Sequence, residues 1–405
     1  MSFFILTLTK RREDFNMKIT MKTKTLLDGL TKVKETLEKS ERVPICMNIK
    51  FHATKKGLNL VTDNTVNSTE HFIPSKENEL SVDEVGSVMI PPLIIEIVRK
   101  MGSAVCITVS DHPDEKLTDQ KLIKVTSVDE KVNANFKMQG LSAVEFPQFV
   151  IPKGKALLQL DSSHFLDLLN KTLFAASTDE NTPILTGVNI NLTEQDLVFT
   201  TTNRHRLAIA SYQTDSIQEF GNGGITIAAK PLEKISRLIG SNKVDISLVK
   251  GRLVIKSGNT TFSTTILEGS YPDVSRIRPD GDSMKVSFLV HRTELLASLE
   301  RQYIVKAEGN DGGITLIKTN PNNAASIELK THESSFASVA EEIFVQDYVG
   351  DEIDISINTR YFLDAIKAYH SKMVRISFTG ELSPVLIEPQ ESKGNIQIIL
   401  PYRRK

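Results

Sequence analysis

At 405 residues the chain is too long for one hydrophobic core, and at 40% hydrophobic residues it can fill two to four domains. A formal net charge of -1 excludes a globally basic nucleic-acid binder, so any attraction to phosphate has to come from cations sorted onto one surface. Two cysteines, Cys46 and Cys106, without a C-x-x-C pair or a nearby histidine pair, exclude a disulfide framework and a structural zinc site and fit a reducing, cytoplasmic setting.

The first residues, "MSFFILTLTKRREDFN", hold a short apolar run whose charges follow it, and no small-residue cleavage site comes after, so no signal peptide is expected. Residues 1–16 read as an extension without fixed structure, or as lying upstream of the true start, and the fold is expected to begin near Met17. No segment reaches the roughly 20 apolar residues of a membrane span.

From there one pattern recurs. Amphipathic helical stretches begin at "LLDGLTKV" (Leu26), "LIIEIVRKM" (Leu93), "FLDLLNKTL" (Phe165), "LEKISRLIG" (Leu232), "ELLASLERQYI" (Glu294) and "FLDAIKAYH" (Phe362), spaced by roughly 70 residues. Each is followed by alternating apolar and polar runs split by turn residues, such as "VNINL" and "LVFTT" around "TEQD", the pattern of antiparallel hairpins. One unit is therefore a helix plus several strands. A single unit is small for independent folding and two together approach the usual domain size, so the fold class is α+β with three similar domains of two units each. The Pro-containing joins "EFPQFVIPKGK" and "YPDVSRIRPDGDS" place the boundaries near Ile151 and Asp282, giving domains 17–150, 151–281 and 282–405. The six helical stretches carry a net positive charge while the rest of the chain is net negative, which points to one shared electropositive surface.

These stretches, read with "MKITMKTKTLLDGL", with "ILTGV" followed by "HRLA", and with "SPVLIEP" and the terminal "ILPYR", resemble the bacterial β sliding clamp family, the processivity subunit of DNA polymerase III, from Met17 to Arg403. The resemblance implies a head-to-tail homodimeric ring whose helices line the hole and whose sheets form the outer wall. It implies a non-catalytic protein, without cofactor or metal, that encircles double-stranded DNA independently of sequence. The implied partners are the polymerase III alpha subunit, the clamp loader and other proteins with a clamp-binding motif, in the cytoplasm at the nucleoid. A clamp must hold DNA without stopping on it, so scattered Lys and Arg suit its inner surface better than a base-reading helix. The DNA-facing candidates are Lys32, Lys34, Arg99, Lys100, Lys234, Arg237, Lys367 and Lys372.

The segment "TNRHRLA" (202–208) aligns with "TDNTVNS" (62–68) and "TNPNNAA" (319–325), and the His-Arg pair stands in the middle copy alone. A requirement of the repeat itself would recur in all three. The resemblance implies that this segment forms part of a pocket for short peptide tails, drawing on Leu185, Thr202, His205, Arg206, Leu207, Pro272, Ile277, Pro384, Ile398, Leu400, Pro401, Tyr402 and Arg403. Such a set offers an apolar cavity with a polar rim. Two residues depart from the family pattern: Asn203 replaces a usual aspartate, and Arg204 stands where a small residue is common. Arg404 and Lys405 run past the family's usual stop. For the ring interface, the resemblance implies that the first domain of one chain meets the third domain of the other, a heterologous contact that closes after two subunits, with Phe136 and Met138 by position against residues near Ile304 and Val305; the alternation in "NFKMQGL" equally fits a plain strand core.

Two other readings compete. His205 beside Arg206 invites an acid–base role, yet no phosphate-binding loop, zincin or nucleophile-elbow motif accompanies it, and no catalytic residue is assigned. A β-rich interaction protein that does not encircle DNA would account for the repeats, but not for the helix charge or the terminal "ILPYR".

Overall fold

The computed structural model describes residues 16–37, 44–114, 116–129, 133–146, 156–193, 195–214, 223–240, 243–279, 283–305, 313–320, 325–331, 337–391 and 394–403. Expectations about residues 1–15, the joins at Ile151 and Asp282, and Arg404 and Lys405 fall outside them.

Among the described residues, six α-helices form where the sequence places them: α1 (Thr23–Lys34), α2 (Leu93–Arg99), α3 (Ser162–Thr172), α4 (Ala229–Ser236), α5 (Arg292–Ile304) and α6 (Thr359–Lys367). Each follows directly on, or within a few residues of, a short strand and precedes three antiparallel strands, so the repeat is strand, helix, then a three-stranded meander. After α3, for example, come Gly187–Leu192, Asp196–Thr202 and Arg206–Gln213, paired in sequence order. Apolar spacing explains the helices. In α1 the buried positions Leu26, Leu30 and Val33 fall on one face at three- and four-residue intervals, and Gly29 between them lets the helix approach the sheet. A Cβ at Gly29 would sit 2.9 Å from Leu60 and 3.0 Å from His71 and Ile73. Helices of successive repeats pair, α1 with α2, α3 with α4 and α5 with α6.

The chain forms two compact units that do not follow sequence order. One joins the described residues up to Gln159 with Arg237–Thr265; the other joins Leu160–Ser236 with Ile266–Lys405. Continuous β-pairing explains each. In the first, Thr260–Thr265 pairs antiparallel with Asn67–Pro74, so the meander after α4 continues the sheet of the meander after α1. In the second, Arg206–Gln213 pairs with Ile396–Ile399 and joins the meanders after α3 and α6. Each unit has its own apolar core. Ile19, Leu30, Phe51, Leu60, Ile95 and Ile107 belong to the first, and Phe288, Leu299, Ile355, Phe362, Ile376 and Ile387 to the second.

Candidate peptide-binding pocket

The site is built on the turn between Asp196–Thr202 and Arg206–Gln213. Asn203 holds it: its Oδ1 accepts from the amides of His205 and Arg206, both at 3.0 Å. Thr202 locks the other side, its hydroxyl donating to the Arg206 carbonyl at 2.7 Å and accepting from the Arg204 amide at 3.1 Å. The Thr202 amide in turn donates to the Tyr271 hydroxyl at 2.8 Å, and burial raises the Tyr271 pKa so that the phenol stays neutral. Arg204 bends the turn with a left-handed φ of 74°.

Arg206 lies beneath the cleft. Its Nη1 meets Asp364 Oδ2 at 2.8 Å, its Nη2 donates to the Phe174 carbonyl, and its guanidinium stands 4.4 Å from the Tyr361 ring centroid and 5.2 Å from that of Phe174. Arg360 shares Asp364 at 3.6 Å. Arg206, expected as a rim contact, is thus bonded inward, whereas Arg204 and His205 are exposed. The cleft above them, about 410 Å3, is lined by Ala176, Ser177, Thr178, Asp179, Thr182 and Leu185 on one side. On the other lie Asn203, Arg204, His205, Arg206, Arg360 and Tyr361.

The C-terminal strand completes the site. Leu207 pairs with Ile398 and Arg206 with Ile399, and the Leu400 amide donates to the His205 carbonyl at 2.8 Å. Leu207, Leu386, Ile396 and Ile398 form a buried apolar cluster against which Ile209, Val274 and Met284 pack. Ile277, Leu400 and Tyr402 remain exposed, as do Pro272 and Arg403, and Pro384 and Pro401 are half-buried. The structure therefore brings Leu185, His205 and Arg206 to one cleft and Leu207 and Ile398 to the adjacent cluster, while Thr202 is buried in the turn behind them. Sequence reasoning missed Tyr271, Tyr361, Asp364 and Phe174. The last three act on Arg206 from another turn or from α6, and no local pattern signals that role.

The other candidates lie apart from this site. Lys32 and Lys34 end α1, Arg99 ends α2 with Lys100 following, Lys234 and Arg237 lie at the end of α4 and just beyond, and Lys367 ends α6 with Lys372 five residues on. Carboxylates partner several of them, Arg99 with Glu96 at 2.8 Å, Arg237 with Glu35 at 4.0 Å and Lys367 with Glu300 at 3.0 Å. Phe136 is exposed and Met138 half-buried on Asn135–Ser142, which meets Gly86–Ile90 through Leu141 and Ser142 only, among the described residues. In the other unit Ile304 is 81% exposed at the end of α5, Val305 follows half-buried, and Phe344 is 76% exposed on Ala340–Gly350. Phe344 was not among the expected interface residues.

Sequence profiles of the DNA polymerase III beta subunit match in succession, the N-terminal domain over residues 17–150, the central domain over 159–273 and the C-terminal domain over 281–403. The chain belongs to the bacterial β sliding clamp family. The beta sliding clamp of Bacillus subtilis is 29% identical over 393 residues, covering 96% of this chain and all of that one. That of Staphylococcus aureus is 27% identical over 394 residues, covering 96% and 99%. The crystal structure of the B. subtilis DNA polymerase sliding clamp superposes with a TM-score of 0.87 at 27% identity, covering 96% of this chain and all of that one. Membership decides for a DNA clamp and against the β-rich interaction protein. Among the described residues no helix is long and apolar enough to cross a membrane.

Proposed function

We propose that two copies of this chain close head to tail around duplex DNA, with the six helices facing the phosphates and the sheets outward. Three domains, 17–150, 151–281 and 282–405, make up each copy. The six-fold strand-helix-meander repeat is the observation that carries this reading, because it supplies equivalent helices, each ending in cations, at regular intervals. Lys32, Lys34, Arg99, Lys100, Lys234, Arg237, Lys367 and Lys372 attract phosphate without reading bases. The chain does no chemistry of its own and needs neither cofactor nor metal. The cleft at Asn203–Arg206 and the apolar cluster beside it take short peptide segments of the polymerase III alpha subunit, the clamp loader and other motif-bearing proteins, in the cytoplasm at the nucleoid.

Apolar side chains on the strand Asn135–Ser142, Phe136 and Met138, and Ile304 and Val305 at the end of α5 with Phe344 on Ala340–Gly350 suit ring closure between copies, Phe136, Ile304 and Phe344 being exposed. Light scattering tests this. The expected mass is that of two chains, falling to one chain for Phe136→Asp or Ile304→Asp with folding intact by circular dichroism. A wild-type protein that scatters as one chain at micromolar concentration would defeat the proposed ring.

A further inference from the structure

The pocket reading leaves one side chain without a role. Arg204 adopts a left-handed φ of 74°, a conformation that favours glycine, and it does so at the mouth of the cleft. Its exposed side chain crosses that mouth, and its Nη2 donates to the Thr182 hydroxyl at 3.0 Å. The Thr182 hydroxyl is a neutral acceptor, and a carboxylate in its place would add the attraction of a full opposite charge to the hydrogen bond.

The charges facing the cleft are unbalanced in the same direction. Three guanidinium groups line it, those of Arg204, Arg206 and Arg360, against one lining carboxylate, Asp179. Asp364 is engaged by both Arg206 and Arg360. Asp179 accepts from the backbone and side-chain amides of Asn181, at 3.0 Å and 2.8 Å. Arg204 therefore has a hydroxyl partner that a ligand carboxylate would outcompete.

We propose that this pocket selects peptides bearing an acidic side chain, which Arg204 binds by leaving Thr182. The proposal rests on the peptide-pocket reading above and adds the chemical class of its ligand. Arg204 then acts as a specificity residue: it narrows the mouth against neutral segments and opens for a carboxylate.

Fluorescence anisotropy with labelled five-residue peptides carrying apolar anchor side chains tests this, each interior position being carried in turn as Asp or as Asn. Against the wild-type protein, one position is expected to favour Asp over Asn by about two- to fivefold, within the range of an exposed ion pair, and the preference shrinks as salt is raised. In Arg204→Gly, whose turn already has a glycine-compatible φ, Asp and Asn bind alike, and in Arg204→Lys part of the preference returns. Equal binding of Asp and Asn peptides by the wild type at every position, or a preference that survives in Arg204→Gly, would overturn the proposal while leaving the pocket standing. Failure of every peptide to bind the wild type would remove the pocket reading and this proposal with it.

Discussion

Arg206 and His205 are neighbours with different duties. Arg206 is held by Asp364, the Phe174 carbonyl and two aromatic rings, so Arg206→Ala is expected to lower the unfolding free energy by roughly 1–2 kcal/mol, less than for a fully buried pair because Asp364 keeps Arg360. Arg206→Lys does not restore it, because an ammonium cannot reproduce the fork and the stacking. His205→Ala, exposed at the cleft, should leave stability within about 0.5 kcal/mol and weaken peptide binding instead. Urea unfolding and peptide titration of both variants separate the roles; equal stability loss would contradict them. His71 gives a pH prediction. Burial, aided by the Lys32 charge, lowers its pKa to about 4, and its Nδ1 lies 2.9 Å from the Thr260 hydroxyl. Between pH 4 and the ordinary value near 6.5 the unfolded chain binds a proton that the native protein refuses, so stability rises with pH across that window. The His71 contribution is complete above pH 6.5 and is lost as the pH falls toward 4. The wild type should therefore lose up to about 1.4 kcal/mol per pH unit more than His71→Gln between pH 6 and 4.5 in urea titrations, and parallel curves would refute the assignment. The His-Arg pair was legible in the sequence because the other two copies lack it. Its support was not, since Asp364 lies 158 positions away.

At the scale of elements, every helix was legible, because burial of one face imposes a period that sequence preserves: in α6, Phe362, Leu363 and Ile366 are buried while Lys367 is exposed. Strands were legible as alternation, but their partners were not. Arg206–Gln213 finds Ile396–Ile399 by edge geometry, which no local residue pattern encodes. The charge bias of the helices takes a second meaning from the structure. Each of the six has a basic residue in its last turn, Lys32 and Lys34, Arg99, Lys171, Lys234, Arg301 and Lys367, where a cation also offsets the helix dipole by roughly 0.3–1 kcal/mol. Salt dependence distinguishes the two roles. If Lys234 and Arg237 meet phosphate, reversing them to Glu should lower the slope of log affinity against log salt by roughly 0.9 for each phosphate no longer neutralised. An unchanged slope with reduced stability would assign them to the helix alone.

For the whole molecule, the three successive profile matches and the repeat point to a protein whose grip on DNA is topological rather than chemical. The two compact units cut across sequence order because strands pair across the joins, Thr260–Thr265 with Asn67–Pro74 and Arg206–Gln213 with Ile396–Ile399. The second of these pairings also unites the two halves of the proposed peptide site, Arg206 and Leu207 with the strand Ile396–Ile399. If the proposed DNA-facing cations do line a ring, their modest number, with Arg99, Arg237 and Lys367 already paired with carboxylates, suits a ring that slides better than it suits a protein that binds DNA by attraction alone. The most direct measurement is retention after loading. The protein, placed on nicked circular DNA by a clamp loader with ATP, is expected to remain through gel filtration and to be lost when a restriction enzyme linearises the circle. Equal retention on circular and linear DNA would contradict encirclement.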